Sequence, residues 1–367
     1  MIKLKRMHGM LALSLAPVFI SSVFGTNSNT NVNKHKKKNV ILILVDDMRL
    51  DMAGYAGGLA KTPNLDALRD ESVEFSTACT TTGLSSPSRA ALFTGLYGNR
   101  TGLDDNLHIW HSRLMTLPKE QTTIYEWAKA KNYNVGYFGK WHVGYITPAD
   151  RGADEYEGTF TEQLKDKASR PDFEAIERYY DNTKTFNEKP EYYQTQKITY
   201  EKTEAKKEFD NGIRFIEKSK NDSRPLFLTV SLHTPHPPYA VPAPWNKMYD
   251  YKKIELPVSY RNPKKGLEFQ HDILWPWMNL GHMTDDDWRK TISYSMGLMT
   301  MFDQALGEFI KELKKMDLWE NSVIIFTSDQ GSMLAEHGLY DKGPYAYEGL
   351  MRIPLLIKAP GVKPKQV

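Results

Sequence analysis

Two pairs of oxygen-bearing side chains, Asp46-Asp47 and Asp329-Gln330, each follow an apolar run in this chain. Adjacent carboxylates repel unless a cation or a basic group offsets them. Three carboxylates and an amide carbonyl make an all-oxygen donor set suited to Ca²⁺ or Mg²⁺. Zinc fits less well, because no Cys–His cluster of ligand spacing accompanies them. A third island, S-S-P-S-R-A-A-L-F-T-G from Ser85 to Gly95, sets small hydroxyls, Pro87 and Arg89 ahead of an apolar stretch ending in glycine. Pro87 suits a first helical turn. The N–H groups of that turn, with Arg89, would draw an anion. On local chemistry alone Ser85 reads as an N-capping serine. Lys140 and His142 in G-K-W-H-V-G, His236 in H-T-P-H-P-P-Y and Lys342 in H-G-L-Y-D-K-G complete the polar islands.

The elements that must position these groups alternate in type. Residues 39–45 form an almost continuous apolar run, as expected of a strand buried on both faces of a parallel sheet. Similar runs lie at 134–138, 226–232, 323–327 and 353–357. Helical patterns open at Thr62-Pro63 and cover 123–131, 201–218 and 286–316. The alternation predicts an α/β fold, a mainly parallel central sheet sandwiched by helices. Four of the polar clusters then fall just past the carboxyl ends of strands, where open α/β sheets gather their reactive groups. Two stretches without clear periodicity, 145–197 and 249–285, are rich in Tyr, Trp, Pro and charge, and read as excursions that shape a cleft.

The Ser85–Gly95 string resembles the sulfatase signature, C/S-x-P-S-R followed by a short run and T-G. G-K-W-H-V-G is similar to the family's second signature, with Asn132-Tyr133 in place of the usual Gly-Tyr. The resemblance, to the type I formylglycine-dependent members of the alkaline phosphatase superfamily, covers roughly residues 39–361. It implies an alkaline-phosphatase-like fold and hydrolysis of sulfate esters. It also implies that Ser85 is oxidised to formylglycine by a serine-type, oxygen-independent bacterial maturase. Asp46, Asp47, Asp329, Gln330 and the modified Ser85 would hold the cation, calcium in preference to magnesium; Gln330 stands where Asn is commoner. Arg89, Lys140, His142, His236 and Lys342 would serve the nucleophile and the sulfate. In that scheme His236 protonates the leaving alcohol and His142 deprotonates the remaining hydroxyl. A sulfated carbohydrate is the expected substrate. The alternatives are a phosphonate or phosphodiester hydrolase of the same superfamily, or an inactive truncated homologue. The latter arises because a small C-terminal subdomain, usual in the family, is expected to be missing after Val367.

The 48 basic and 45 acidic side chains leave a net charge of +3, too balanced to argue for nucleic acid. Cys79 is the sole cysteine, so no intrachain disulfide forms; it reads as a small buried residue without a catalytic role. Lys3, Lys5 and Arg6 precede an apolar stretch from Met10 to Phe24, which predicts a signal peptide over residues 1–25. Residues 26–38 read as a polar linker and 39–367 as the catalytic domain. The expected address is the bacterial periplasm or the medium, without stable membrane insertion. Trp110, Trp275 and Trp277 are candidate stacking platforms for a sugar.

Overall fold

The first apolar run forms β1 (Asn39–Val45), a central strand of an eight-stranded sheet. The computed structural model describes residues 37–107, 113–158, 192–261 and 280–367. Among these the other strands are β2 (Val73–Glu74), β3 (Asn134–Gly139), β4 (Glu155–Glu157), β5 (Tyr193–Gln196), β6 (Leu226–Ser231), β7 (Tyr239–Pro242), β8 (Ser322–Ser328), β9 (Leu355–Lys358) and β10 (Lys365–Gln366). The large sheet runs β10-β2-β9-β8-β1-β6-β3-β4. From β8 to β4 every pairing is parallel, whereas β9 is antiparallel to both of its neighbours. β5 and β7 form a separate two-stranded parallel sheet.

Alternation along β1 explains the layers, because successive side chains of a strand point to opposite faces. Ile41, Ile43 and Val45 pack on one face with α1 (Pro63–Asp70), α4 (Glu204–Lys218) and the long α5 (Asp285–Lys315). Leu42 and Leu44 pack on the other with α2 (Ser85–Thr94) and α3 (Ile124–Ala130), through Ala90, Phe93, Tyr125 and Ala128. Helices cover both faces of the central strands, the architecture the sequence predicts. Capping boxes fix the starts of α3, at Thr123 and Glu126, and of α5, at Thr284 and Asp287.

The differences from the sequence reading have local causes. The strand placed at 353–357 starts at Leu355, after Pro354, which has no N–H to give a ladder. The helix placed at 201–218 is a short 3₁₀ turn, Tyr200–Lys202, followed by α4 from Glu204. Cys79 is exposed rather than buried, on the segment leading into α2, where it bridges to Arg352. No helix among the described residues is long and apolar enough to cross a membrane. The signal-peptide reading, the linker up to residue 36 and the three candidate tryptophans lie outside the described residues.

Candidate active site

The parallel strands β8, β1, β6 and β3 end level with one another, Val45 opposite Ser328, Leu44 opposite Ser231, and Ser231 opposite Gly139. The residue after each of three strands is therefore Asp329, Asp46 and Lys140, and β6 runs on into the loop bearing His233 and His236. Backbone bonds extend the alignment beyond the sheet: Asp329 N–H donates to Val45 C=O at 3.1 Å, and Lys140 N–H to Ser231 C=O at 2.8 Å. Gly139 is required here. Its φ is +103°, and a Cβ would lie 1.9 Å from the Ser231 carbonyl oxygen. Gly331 plays a similar part after Gln330, since a Cβ there would meet the Gly349 carbonyl oxygen at 1.8 Å. Asp47 takes a positive φ of 64°, a conformation Asp tolerates better than most residues, and both of the adjacent aspartates are sealed in the interior.

Ser85 is the first residue of α2, with Leu84 at the cap, so the N-capping reading does not hold. Its hydroxyl leaves the helix and donates to Asp46 Oδ1 at 3.1 Å. Lys140 Nζ lies 3.5 Å from the same hydroxyl oxygen and also contacts Asp46 Oδ2. Gln330 Nε2 is 3.0 Å from Ser85 Oγ and contacts Asp47 as well. Lys342 Nζ donates to both Asp47 oxygens, at 2.6 and 2.8 Å, and His236 Nε2 sits 3.7 Å from Asp47 Oδ2. Arg89 is sealed in the interior, with Nη2 3.8 Å from Asp46 Oδ1 and without a hydrogen bond. Its Nε donates to Asp329 Oδ2 at 2.7 Å, and its Nη1 donates to the Lys140 carbonyl and the Ser231 hydroxyl. His142 is buried two residues beyond Lys140, with a positive φ of 59°.

The donor set fits a divalent cation on three counts. One carboxylate oxygen from each of Asp46, Asp47 and Asp329 lies within 4.8 Å of the other two, and all three residues are buried. The Gln330 amide directs Nε2 at Asp46, Asp47 and Ser85 while its Oε1 is buried without a hydrogen bond. Because amide N and O are assigned from the network, a turned amide would give that oxygen to a cation and relieve the orphan. The set is all oxygen, the chemistry of calcium and magnesium.

Electrostatics point the same way. Burial, opposed by Lys342 but reinforced by Asp46 and Asp329, pushes Asp47 up to about 6. Burial and Asp46 likewise push Asp329 up to about 6, against Arg89 and Lys140. Burial would raise Asp46 too, but Lys140, Lys342, His236 and Arg89 together hold it well below the usual carboxylate range. Burial, then Lys342, lowers His236 to about 3. Burial lowers Lys140. Burial opposes the charge of Lys342 as well, but Asp47 and Asp46 outweigh it and raise that lysine.

Glu204 and Arg49 escape the sequence reading, and His233 enters it only as a member of the polar cluster from His233 to His236, with no role of its own. His233 stacks on His236 with centroids 4.4 Å apart. Glu204, at the start of α4, accepts from the backbone N–H of His233 at 2.7 Å and of Thr234 at 3.3 Å, and so holds the histidine loop. Arg49 is forked onto Asp51 and also donates to Glu336 and to the Ser332 and Met333 carbonyls, clamping the segment after β1 to the one after β8. Glu204 belongs to no motif in the sequence, and only the docking of α4 reveals it. By contrast, D-D-x-R offers a readable spacing for Arg49.

The large, mainly parallel sheet flanked by helices defines an alkaline-phosphatase-like α/β fold. A match to the Sulfatase family covers residues 38–367, and the chain belongs to that family. It is 30% identical over 339 residues to the ulvan-active sulfatase of Formosa agariphila, covering 89% of this chain and 57% of that protein. It is 28% identical over 346 residues to the iduronate 2-sulfatase of Mus musculus, covering 88% and 59% respectively. The chain thus spans less than two thirds of either relative. Its fold is similar to that of the phosphonate monoester hydrolase of Agrobacterium radiobacter, with a TM-score of 0.69 at 21% identity over 90% of this chain and 70% of that one.

Proposed function

We propose that this chain hydrolyses sulfate esters of a carbohydrate, with Ser85 as the precursor of its nucleophile. The observation that carries the reading is the seat of the Ser85 hydroxyl, 3.1 Å from Asp46 and 3.0 Å from Gln330, with Lys140 at 3.5 Å, in a chain of the sulfatase family. Asp46, Asp47, Asp329, Gln330 and modified Ser85 hold a divalent cation, calcium in preference to magnesium; bound there, it acts as a Lewis acid that lowers the charge around the nucleophile. Oxidised to formylglycine and hydrated, residue 85 supplies a geminal hydroxyl, a better nucleophile than a plain serine without a base.

The remaining roles belong to side chains already in place. Lys140 and Lys342 offset the negative charge of the sulfate oxygens in a site shut away from water. His236 spends Nδ1–H on the Pro237 carbonyl, so Nε2 is the nitrogen that passes a proton to the leaving alcohol. His142 takes the proton of the remaining hydroxyl. Arg89 balances Asp329 and braces three strand ends. The relatives named for ulvan and iduronate support a carbohydrate substrate. Residues 1–25 direct export, and a serine-type maturase is the transient partner.

Co-expression with such a maturase, followed by mass spectrometry of the Ser85 peptide, tests the nucleophile. The matured peptide is lighter by about two hydrogens, and full activity with an intact hydroxyl overturns the claim. Sulfate release from defined sulfated mono- and disaccharides, set against matched phosphonates and phosphodiesters, tests the reaction. Faster turnover of the phosphorus esters would assign the chain to the alternative hydrolase class.

A further inference from the structure

Two imidazoles, not one, turn toward the carboxylates from the loop after β6. His233 and His236 stack at 4.4 Å with their planes 27° apart. His236 donates Nδ1–H to Pro237, which leaves Nε2 as a lone-pair nitrogen 3.7 Å from Asp47 Oδ2. His233 Nε2 is 3.9 Å from Asp46 Oδ2. The His236 lone pair facing a carboxylate oxygen sets acceptor against acceptor, an arrangement that a cation at Nε2 relieves. One donor atom from each of Asp46, His233 and His236 lies within 4.8 Å of the other two.

We infer that His233, His236 and Asp46 form a second cation site, for zinc or a similar transition-metal ion, beside the all-oxygen pocket. Two imidazoles and a carboxylate are a familiar zinc donor set, and a modest closure of the loop brings them to coordination distance. Imidazole nitrogen suits Zn²⁺, Cu²⁺ and Ni²⁺, whereas carboxylate and amide oxygens suit Ca²⁺, so the neighbouring sites sort ions by ligand chemistry. Lys140 is the rival, because its ammonium lies on Asp46 Oδ2. A second mixed group, Asp47, His236 and Asp341, offers one imidazole instead of two and already carries Lys342 on both Asp47 oxygens, which makes it the poorer zinc set. The consequence, though not the site, rests on the sulfatase reading: a metal on His236 Nε2 occupies the nitrogen that passes the proton, so zinc inhibits turnover.

Calorimetric titration of zinc chloride into the calcium-saturated full chain tests the site without turnover. One zinc site is expected, weakened about tenfold or more by His233→Ala and by His233→Gln. Lys140→Gln, which removes the rival ammonium, tightens it, and Asp341→Asn leaves it unchanged. Retention of the calcium-induced rise in unfolding temperature shows that the His233 variants are folded. Zinc affinity unaltered by both His233 substitutions overturns the site. A loss in Asp341→Asn equal to that in His233→Ala also overturns it, by placing the ion on the other group. Absent sulfate release would sink the proposed function and leave this site standing; absent zinc binding in an active enzyme would sink the site alone.

Discussion

Arg89 and Asp329 form an ion pair sealed from solvent, with Nε donating to Oδ2 at 2.7 Å and both side chains at 0% exposure. The same guanidinium reaches the Lys140 carbonyl at 2.9 Å and the Ser231 hydroxyl at 2.8 Å. One side chain of α2 thereby braces the ends of β8, β3 and β6, the strand ends that carry Asp329, Lys140 and the histidine loop. Its cost is the desolvation of both charges, which only mutual pairing and the additional hydrogen bonds offset.

Removing one partner should therefore be far worse than never having had the pair. Arg89→Gln leaves the Asp329 carboxylate buried without its ion-pair partner, and is expected to cost about 3–5 kcal/mol in urea unfolding of the cation-free chain. Arg89→Lys keeps the charge but not the planar fork, and is expected to recover part of that loss. A change below about 1 kcal/mol for Arg89→Gln would remove the bracing role.

Calcium dependence follows from the carboxylates. Asp47 and Asp329 ordinarily titrate at 3.8 and are both pushed up to about 6 by burial and by neighbouring aspartates. A carboxyl raised on folding contributes stability that is full below its unfolded value and is lost as pH rises through the folded one. The cation-free chain should thus lose stability between roughly pH 4 and 6 through these two groups. Calcium, which binds the ionised carboxylates, should raise the unfolding temperature little at the acid end and strongly near about pH 7. A calcium shift of equal size at both ends, read by thermal unfolding with and without chelator, would contradict this ligand set.

Much of this arrangement is legible in the sequence because it depends on local signals. The apolar runs of β1, β3, β6 and β8 are bounded by polar residues, and in a parallel sheet those boundaries share one edge. The short strands away from the sheet centre are less readable. β2 is two residues long, Val73–Glu74, and its antiparallel pairing with β9 comes from contact across the chain. β5 and β7 lie in Tyr- and Pro-rich sequence without clear alternation. The direction of Arg89 is a tertiary fact as well: its spacing in the motif puts it beside an anion site, but only the docking of α2 on the strand ends commits it to Asp329. Glu204 is hidden for the same reason, since the donors it accepts from are backbone N–H groups of a loop 29 and 30 residues away.

Glu208 gives a stability prediction independent of the cation. It is buried on α4, accepts from Asn211 Nδ2 at 3.1 Å, and is pushed from 4.5 to about 8 by burial and then by Glu204. The raised value means that its favourable contribution is present below its unfolded range and is lost as pH rises through about 8. Glu208→Gln keeps the shape and removes the titration. The variant should therefore resist alkaline loss, its unfolding temperature falling less than that of the parent between about pH 7 and 9. Equal slopes for the two proteins would show that Glu208 does not ionise in the fold over this range.

The proton donated to the leaving group gives the sharpest kinetic test of His236. Burial, followed by the charge of Lys342, lowers its imidazole to about 3 in the cation-free chain, which favours the neutral ring. A sulfate ester brings negative charge beside Nε2, and that charge favours the protonated ring in the complex. General acid catalysis matters most where the departing alkoxide is basic. His236→Ala should then lower kcat for an unactivated sugar sulfate by about 10²–10⁴ while affecting an aryl sulfate with a good leaving group far less. The contrast between the two substrates separates proton donation from a packing effect, because disturbed packing would slow both alike. An equal loss on both substrates, or no loss on the sugar sulfate, would remove His236 as the acid and leave the second imidazole, His233, as the next residue to substitute.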